Sequence, residues 1–168
     1  MEVKIERASG ANAAEVLALL KIVGGETDNL SFGSDGLPVS EEDERKFLER
    51  TASSDREAFF VARLGKELVG TAHYTAFERA RMAHRGEIGI CVKKSEWGKG
   101  IGSMLMNTLL DFAKNTAHSE IVSLEVRCDN AGAINLYKKF GFEKIGQFKG
   151  FFKIDGKLID FDIMQKIF

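Results

Sequence analysis

The chain has few of the residues that break, staple or anchor a fold. It contains a single proline, Pro38, and no low-complexity stretch, which argues against linkers and disorder. It has only two cysteines, Cys91 and Cys128, both in apolar strand-like runs. That excludes a disulfide framework, and the expectation is a pair of buried free thiols with no metal site. No run of about 18 apolar residues occurs, so no membrane-spanning helix is expected. The N-terminus does not read as a signal peptide, and the expected compartment is the cytoplasm. Charge of one sign is also missing: 24 Lys and Arg against 25 Asp and Glu leave a net charge of -1. Composition therefore gives no case for nucleic acid or a membrane surface as partner. What is there is ordinary for a soluble globular protein: 168 residues, 44% hydrophobic and 29% charged. The expectation is one domain, 1–168, long enough to bury a core.

Val3, Ile5 and Arg7 alternate with Lys4 and Glu6, an opening strand. Asn12-Ala13-Ala14-Glu15 reads as a capping box before a helix that Gly24-Gly25 ends. An irregular loop from Glu26 to Val39 follows, long enough to be functional. Ser40 opens a second helix carrying Phe47 and Leu48. Ala58–Ala62 and Glu67–Tyr74 flank Gly65-Lys66, a hairpin. Strands are expected at Glu87–Lys93 and Ile121–Val126, and helices at Met104–Ala113 and Asn130–Phe140, the latter stopped by Gly141. Asp155-Gly156 turns a final hairpin within Gly150–Lys166. The order β-α-α-β-β-β-α-β-α-β-β implies an α/β (α+β) fold with a mixed, mostly antiparallel sheet.

Trp97-Gly98-Lys99-Gly100-Ile101-Gly102-Ser103 lies between the strand ending at Lys93 and a helix. Glycines there let backbone N–H groups approach a ligand, and the helix dipole adds partial positive charge. This is a seat for phosphate, best for a pyrophosphate. A dinucleotide fingerprint fits poorly, because Ser103 stands where its third glycine belongs and the turn lies in mid-chain. A Walker A loop fails because no Lys-Ser/Thr pair follows the last glycine.

Three blocks resemble the GNAT superfamily of acetyl-CoA-dependent N-acetyltransferases. They are the glycine turn Trp97 to Gly102, the strand Glu87-Ile88-Gly89-Ile90-Cys91-Val92 before it, and Asn130-x-x-Ala133-x-x-Leu136-Tyr137-x-x-x-Gly141-Phe142. Trp97 replaces the Gln or Arg usual at the head of the motif. The resemblance implies a three-layer fold whose central strands splay apart to admit acetyl-CoA. The pantetheine would pair with the backbone of Ile90 to Val92, as an added strand does. The pyrophosphate would sit on Gly98, Lys99, Gly100, Ile101, Gly102 and Ser103, with Asn130 on the pantetheine arm or supporting the next strand. Tyr137 would protonate the leaving thiolate and a backbone N–H near Val92 would hold the oxyanion. No metal is implied.

The amine needs a base or a water relay. Glu87 is the leading candidate, read either as base or as a surface carboxylate; Glu125 is a weaker one. His73 reads as a proton relay or a structural histidine, and His84 as loop charge. Lys138 and Lys139 read as solvated, as does Lys99 apart from its backbone. Glu26, Asp28 and Asp35 are candidates for selecting a cationic acceptor such as a polyamine. The expected function is acetyl transfer to a primary amine of a small molecule (polyamine, amino acid or antibiotic type) or to a protein amino group. The alternative is a non-catalytic acetyl-CoA sensor on the same fold. A homodimer through the last strands is a possible partner arrangement.

Overall fold

A computed structural model describes residues 2–168. In chain order it has β1 (Val3–Arg7), α1 (Ala13–Glu26), α2 (Glu41–Ala52), β2 (Glu57–Leu64), β3 (Glu67–Ala76), β4 (Arg85–Val92), α3 (Ile101–Asp111), β5 (Ile121–Arg127), α4 (Ala131–Lys139), β6 (Glu143–Ile154) and β7 (Lys157–Ile167). The strands form one sheet in the order β1-β2-β3-β4-β5-β7-β6. Every neighbouring pair is antiparallel except β4 and β5, which run parallel. A parallel pair needs a crossover, and α3 provides it.

Side chains alternate across the strands, so each strand feeds both faces. Phe60, Ala72, Tyr74, Ile88, Val122, Leu124 and Met164 pack under α3 and α4, against Ile101, Leu105, Leu109 and Tyr137. Phe59, Val61 and Leu68 point the other way, against Val16, Leu19, Leu20 and Val23 of α1 and Leu48 of α2. The result is the expected three layers.

The feature that matters for function is where β4 and β5 part. They pair only at Arg85↔Ile121, Gly86↔Val122 and Glu87↔Ser123. Beyond that β5 makes no further pair with β4 among the described residues, and Ile88–Val92 stays laddered to β3 alone.

Several local expectations are corrected. The glycine pair does not end α1, which runs through it to Glu26. A Cβ on Gly24 would lie 2.1 Å from the carbonyl oxygen of Gly33, so Gly24 lets the following loop cross the helix. The capping box sits one turn earlier, with Ser9 and Asn12 framing a short 3-10 turn at Gly10–Asn12. The α3 helix starts at Ile101, three residues before Met104, and β6 starts at Glu143 rather than near Gly150. Cys128 is exposed and Cys91 half-buried, both as free thiols.

Candidate active site

In the β3–β4 ladder the Arg85 carbonyl accepts from the Phe77 N–H and the Lys93 N–H donates to Val69, which fixes the alternation. Odd-numbered residues of β4 turn their N–H and C=O groups to β3, and even-numbered ones turn theirs away. Ile90 and Val92 therefore aim backbone groups into the gap where β5 has left. The Val92 carbonyl is taken at 2.8 Å by the Trp97 indole Nε1, leaving the Val92 N–H as the group that faces the gap. Through this bond the Trp97 side chain folds the turn back against the strand it follows.

The turn itself has two left-handed glycines, Gly98 with φ +75° and Gly100 with φ +85°. A Cβ at either would meet nothing within 4 Å, so the turn is open on its outer side. Gly100 is the N-cap of α3, and no side chain caps that helix. By contrast Ser40 caps α2 through the Asp43 N–H, and Asn130 Oδ1 caps α4 through the Ala133 N–H at 3.3 Å. The N–H groups of Ile101, Gly102 and Ser103 are therefore left free at a positive helix end. Gly102 has a second reason to be glycine, since a Cβ there would approach Leu136 of α4 to 3.1 Å. Of the candidate lysines, Lys99 pairs with Glu96 at 3.0 Å. Lys139 reaches Ser103 Oγ at 3.5 Å, which places its charge at the mouth of α3.

Tyr137 points from α4 into the seam below this turn. It is 8% exposed and packs at 5.9 Å from the Phe142 ring. Burial, with Cys91 close by, pushes its phenol up to about 12, so it stays protonated at neutral pH. The Cys91 thiol lies 3.1 Å from Thr71 Oγ1, and burial pushes its pKa up as well, which makes it a poor nucleophile.

On the α1–α2 face of the sheet the two helices pack over β2 and β3. Glu87 lies on that face beside Ser123, and Glu125 follows two residues along β5 on the same side. Burial, then the nearby Glu125 charge, raises the Glu87 pKa, making it a better base than a free carboxylate. His73 lies across Gly89, where a Cβ would come within 2.3 Å of its ring, and stacks on Phe59 at 6.5 Å. The residue keeps some exposed surface, but desolvation of its ring lowers its pKa and favours the neutral form. His84 lies apart from this group; its carbonyl accepts the N–H groups of Glu120 and Ile121.

The loop between α1 and α2 reaches the end of β5. Arg127 donates to the Asp28 carbonyl at 3.4 Å and forks onto Asp129 at 2.7 and 3.0 Å. Glu26 is occupied by the Lys94 backbone N–H at 2.8 Å, which ties α1 to the end of β4. Of the three loop carboxylates only Asp28 lines the cleft of about 470 Å³ that opens between this loop and β6. The sequence analysis named Asp28 of this loop as an acceptor candidate but did not single out the aromatic lining, Phe32, Phe151 and Phe152. Its one available signal was Gly150-Phe151-Phe152, which breaks strand alternation as a bulge does.

Residues 27–142 match the family model described as the acetyltransferase (GNAT) family. The chain belongs to the GNAT acetyltransferase family. It is 30% identical over 131 residues to the L-amino acid N-acetyltransferase AaaT of Escherichia coli, covering 78% of this chain and 81% of that one. It is 34% identical over 107 residues to the N-alpha-acetyltransferase RimI of Mycobacterium tuberculosis, covering 64% of this chain and 65% of that one. Among solved structures, a GNAT-family acetyltransferase from Streptococcus pneumoniae superposes with a TM-score of 0.95 at 33% identity, covering 99% of this chain and all (100%) of that one. The chain is thus an acyltransferase of a family that uses acetyl-CoA. The glycine turn, the parted strands and Tyr137 all fall within the matched span or its GNAT frame.

Proposed function

We propose that residues 1–168 act as one N-acetyltransferase domain that moves acetyl from acetyl-CoA directly to a primary amine of a small molecule or a protein. The observation that carries this is the parting of β4 from β5 beside an uncapped, glycine-opened helix N-terminus. The gap offers an unpaired strand edge at Ile90 and Val92 to an extended amide-bearing arm. The N–H groups of Gly98 to Ser103 suit a pyrophosphate, with Lys139 beside them. Asn130 stands next to the gap, its Oδ1 spent on the α4 cap and its Nδ2 left as a donor.

The acceptor amine approaches from the α1–α2 face of the sheet. Glu87, directly or through one water, takes a proton from the ammonium, and the free amine attacks the thioester carbonyl. The C–N bond forms, and the Val92 N–H holds the developing oxyanion. When the tetrahedral intermediate collapses the C–S bond breaks, and Tyr137 donates its proton to the leaving sulfur. Tyr137 is left as phenolate and regains its proton from the acetylated nitrogen through water, so charge balances. Both relatives named above carry names that specify amine acetylation, of L-amino acids in one and of N-alpha groups in the other. That supports an amine acceptor.

Tyr137→Phe tests the scheme. Acetyl-CoA affinity is expected to hold within a factor of about two, while kcat for thiol release falls about 100-fold, the lower end of general-acid effects. An unchanged kcat at saturating substrates removes Tyr137 from the mechanism. Wild-type protein that binds acetyl-CoA yet releases no thiol with any amine is the sensor outcome.

A further inference from the structure

We infer that the acceptor is a small primary amine bearing one compact apolar group, aromatic or of similar bulk, and not a polyamine. This rests on the acetyl-transfer reading above and names the chemistry of its second substrate.

A register break in the last hairpin builds the wall of the cleft. Phe148 of β6 faces Phe161 of β7, but Phe152 faces Ile159, so β6 carries extra residues between two paired positions. Gly150 takes φ +63° in this bulge and donates its N–H to Asp160 Oδ1 at 2.8 Å. In a regular strand Phe151 and Phe152 would point to opposite faces. Here both rings rest on Phe161, at centroid distances of 4.7 and 4.4 Å. Phe161 is 3% exposed, so the pair stands on a fixed base. The facing wall comes from Leu30 and Phe32 of the α1–α2 loop, and the space between the walls is about 470 Å³. That is within the usual range for a small-molecule site, and the aromatic side chains share its lining with Thr27, Asp28, Ser31 and Lys153.

Charge placement then sets the orientation of the ligand. Phe161 is paired with Arg127 and Ile163 with Glu125, so the aromatic wall lies one side-chain row from Glu125. A row is about 7 Å along a strand, which suits an amine two or three bonds from a ring. The end near the chemistry is anionic, with Glu87 beside Glu125. Of the nearby arginines, Arg85 acts on Glu87 from over the Phe77 ring, and Arg127 is held by Asp129. Within the cleft Lys153 and Asp28 both contribute to the lining, so its own charges balance. A second ammonium would find no net charge partner there and would leave the apolar wall unfilled. A carboxylate beside Lys153 would be met favourably, so an arylalkylamine and an apolar amino acid share the recognised chemistry.

Calorimetric titration of phenethylamine, L-phenylalanine and spermidine into the CoA-bound protein tests this, alongside thiol release with the same three amines. At least one aromatic amine should bind tenfold or more tighter than spermidine and give the higher kcat/KM. Which of the two wins separates the arylalkylamine from the amino acid. Phe152→Ala should raise KM for that amine about tenfold or more with KM for acetyl-CoA unchanged, and Phe152→Leu should recover part of the loss. Spermidine binding as tightly as both aromatic amines, or wild-type KM in Phe152→Ala, overturns the inference. Tight aromatic binding without thiol release would uphold the cleft and sink the transfer reading instead. Turnover of spermidine alone would do the reverse.

Discussion

At the scale of single residues, the site divides its labour by environment. Tyr137 and Glu87 are both shifted upward, and burial is the leading cause for each, but the consequences differ. A phenol pushed up holds its proton and serves as donor. A carboxylate pushed up is a stronger base once ionised. The pH dependence follows from that sign. As pH falls through the raised Glu87 pKa the carboxylate protonates and the base is lost, so kcat/KM declines on the acid side. Glu87→Gln is expected to lower kcat/KM about 100-fold and to remove that acid limb from the pH profile. A variant profile that keeps the limb assigns it to another group, with neutral His73 the next to examine.

At the scale of elements, the sheet and most helices were legible because their signals are local. The Gly65-Lys66 hairpin, the Ser40 cap and the Asp155-Gly156 turn each act within a few residues. The elements misread are those shaped by contacts far along the chain. Gly24 looks like a helix end, but a distant loop carbonyl, that of Gly33, explains it. Gly150-Phe151-Phe152 hides its strand, because the bulge is stabilised by Asp160 on the partner strand. The parting of β4 and β5 left no local mark at all; it entered only through resemblance. Gly24 also yields a prediction. Alanine in a helix interior ordinarily gains about 1 kcal/mol over glycine. Here a Cβ 2.1 Å from a backbone oxygen has to push the α1–α2 loop away, and Phe32 with it. Gly24→Ala is therefore expected to lower the melting temperature and raise acceptor KM about tenfold, leaving acetyl-CoA affinity intact. A stabilised variant with normal acceptor KM would show that the loop is not held by this contact.

At the scale of the whole molecule, two cores on opposite faces of one sheet hold a gap between them. The α3–α4 side seats the cofactor turn, and the α1–α2 side is proposed to shape the acceptor cleft. Among the described residues no helix is long and apolar enough to cross a membrane. Stability should carry one pH signature, from Glu44 of α2, which is 6% exposed. Burial raises its pKa above the ordinary 4.5, so the folded state holds the proton more tightly than the unfolded chain. The penalty is absent below about pH 4.5 and complete above the raised value. Glu44→Gln should thus stabilise the protein at pH 7, and the difference should vanish as pH falls towards 4. A constant difference across that range would point to packing instead of ionisation.

The gap between β4 and β5 is central to all of this as the proposed acetyl-CoA channel. Diffraction from crystals grown with CoA tests it most directly. The pyrophosphate is expected on the N–H groups of Gly98 to Ser103, the pantetheine along Ile90 and Val92, and the sulfur beside the Tyr137 hydroxyl. CoA bound elsewhere, or a gap closed by β5 pairing with Ile88–Val92, would contradict it.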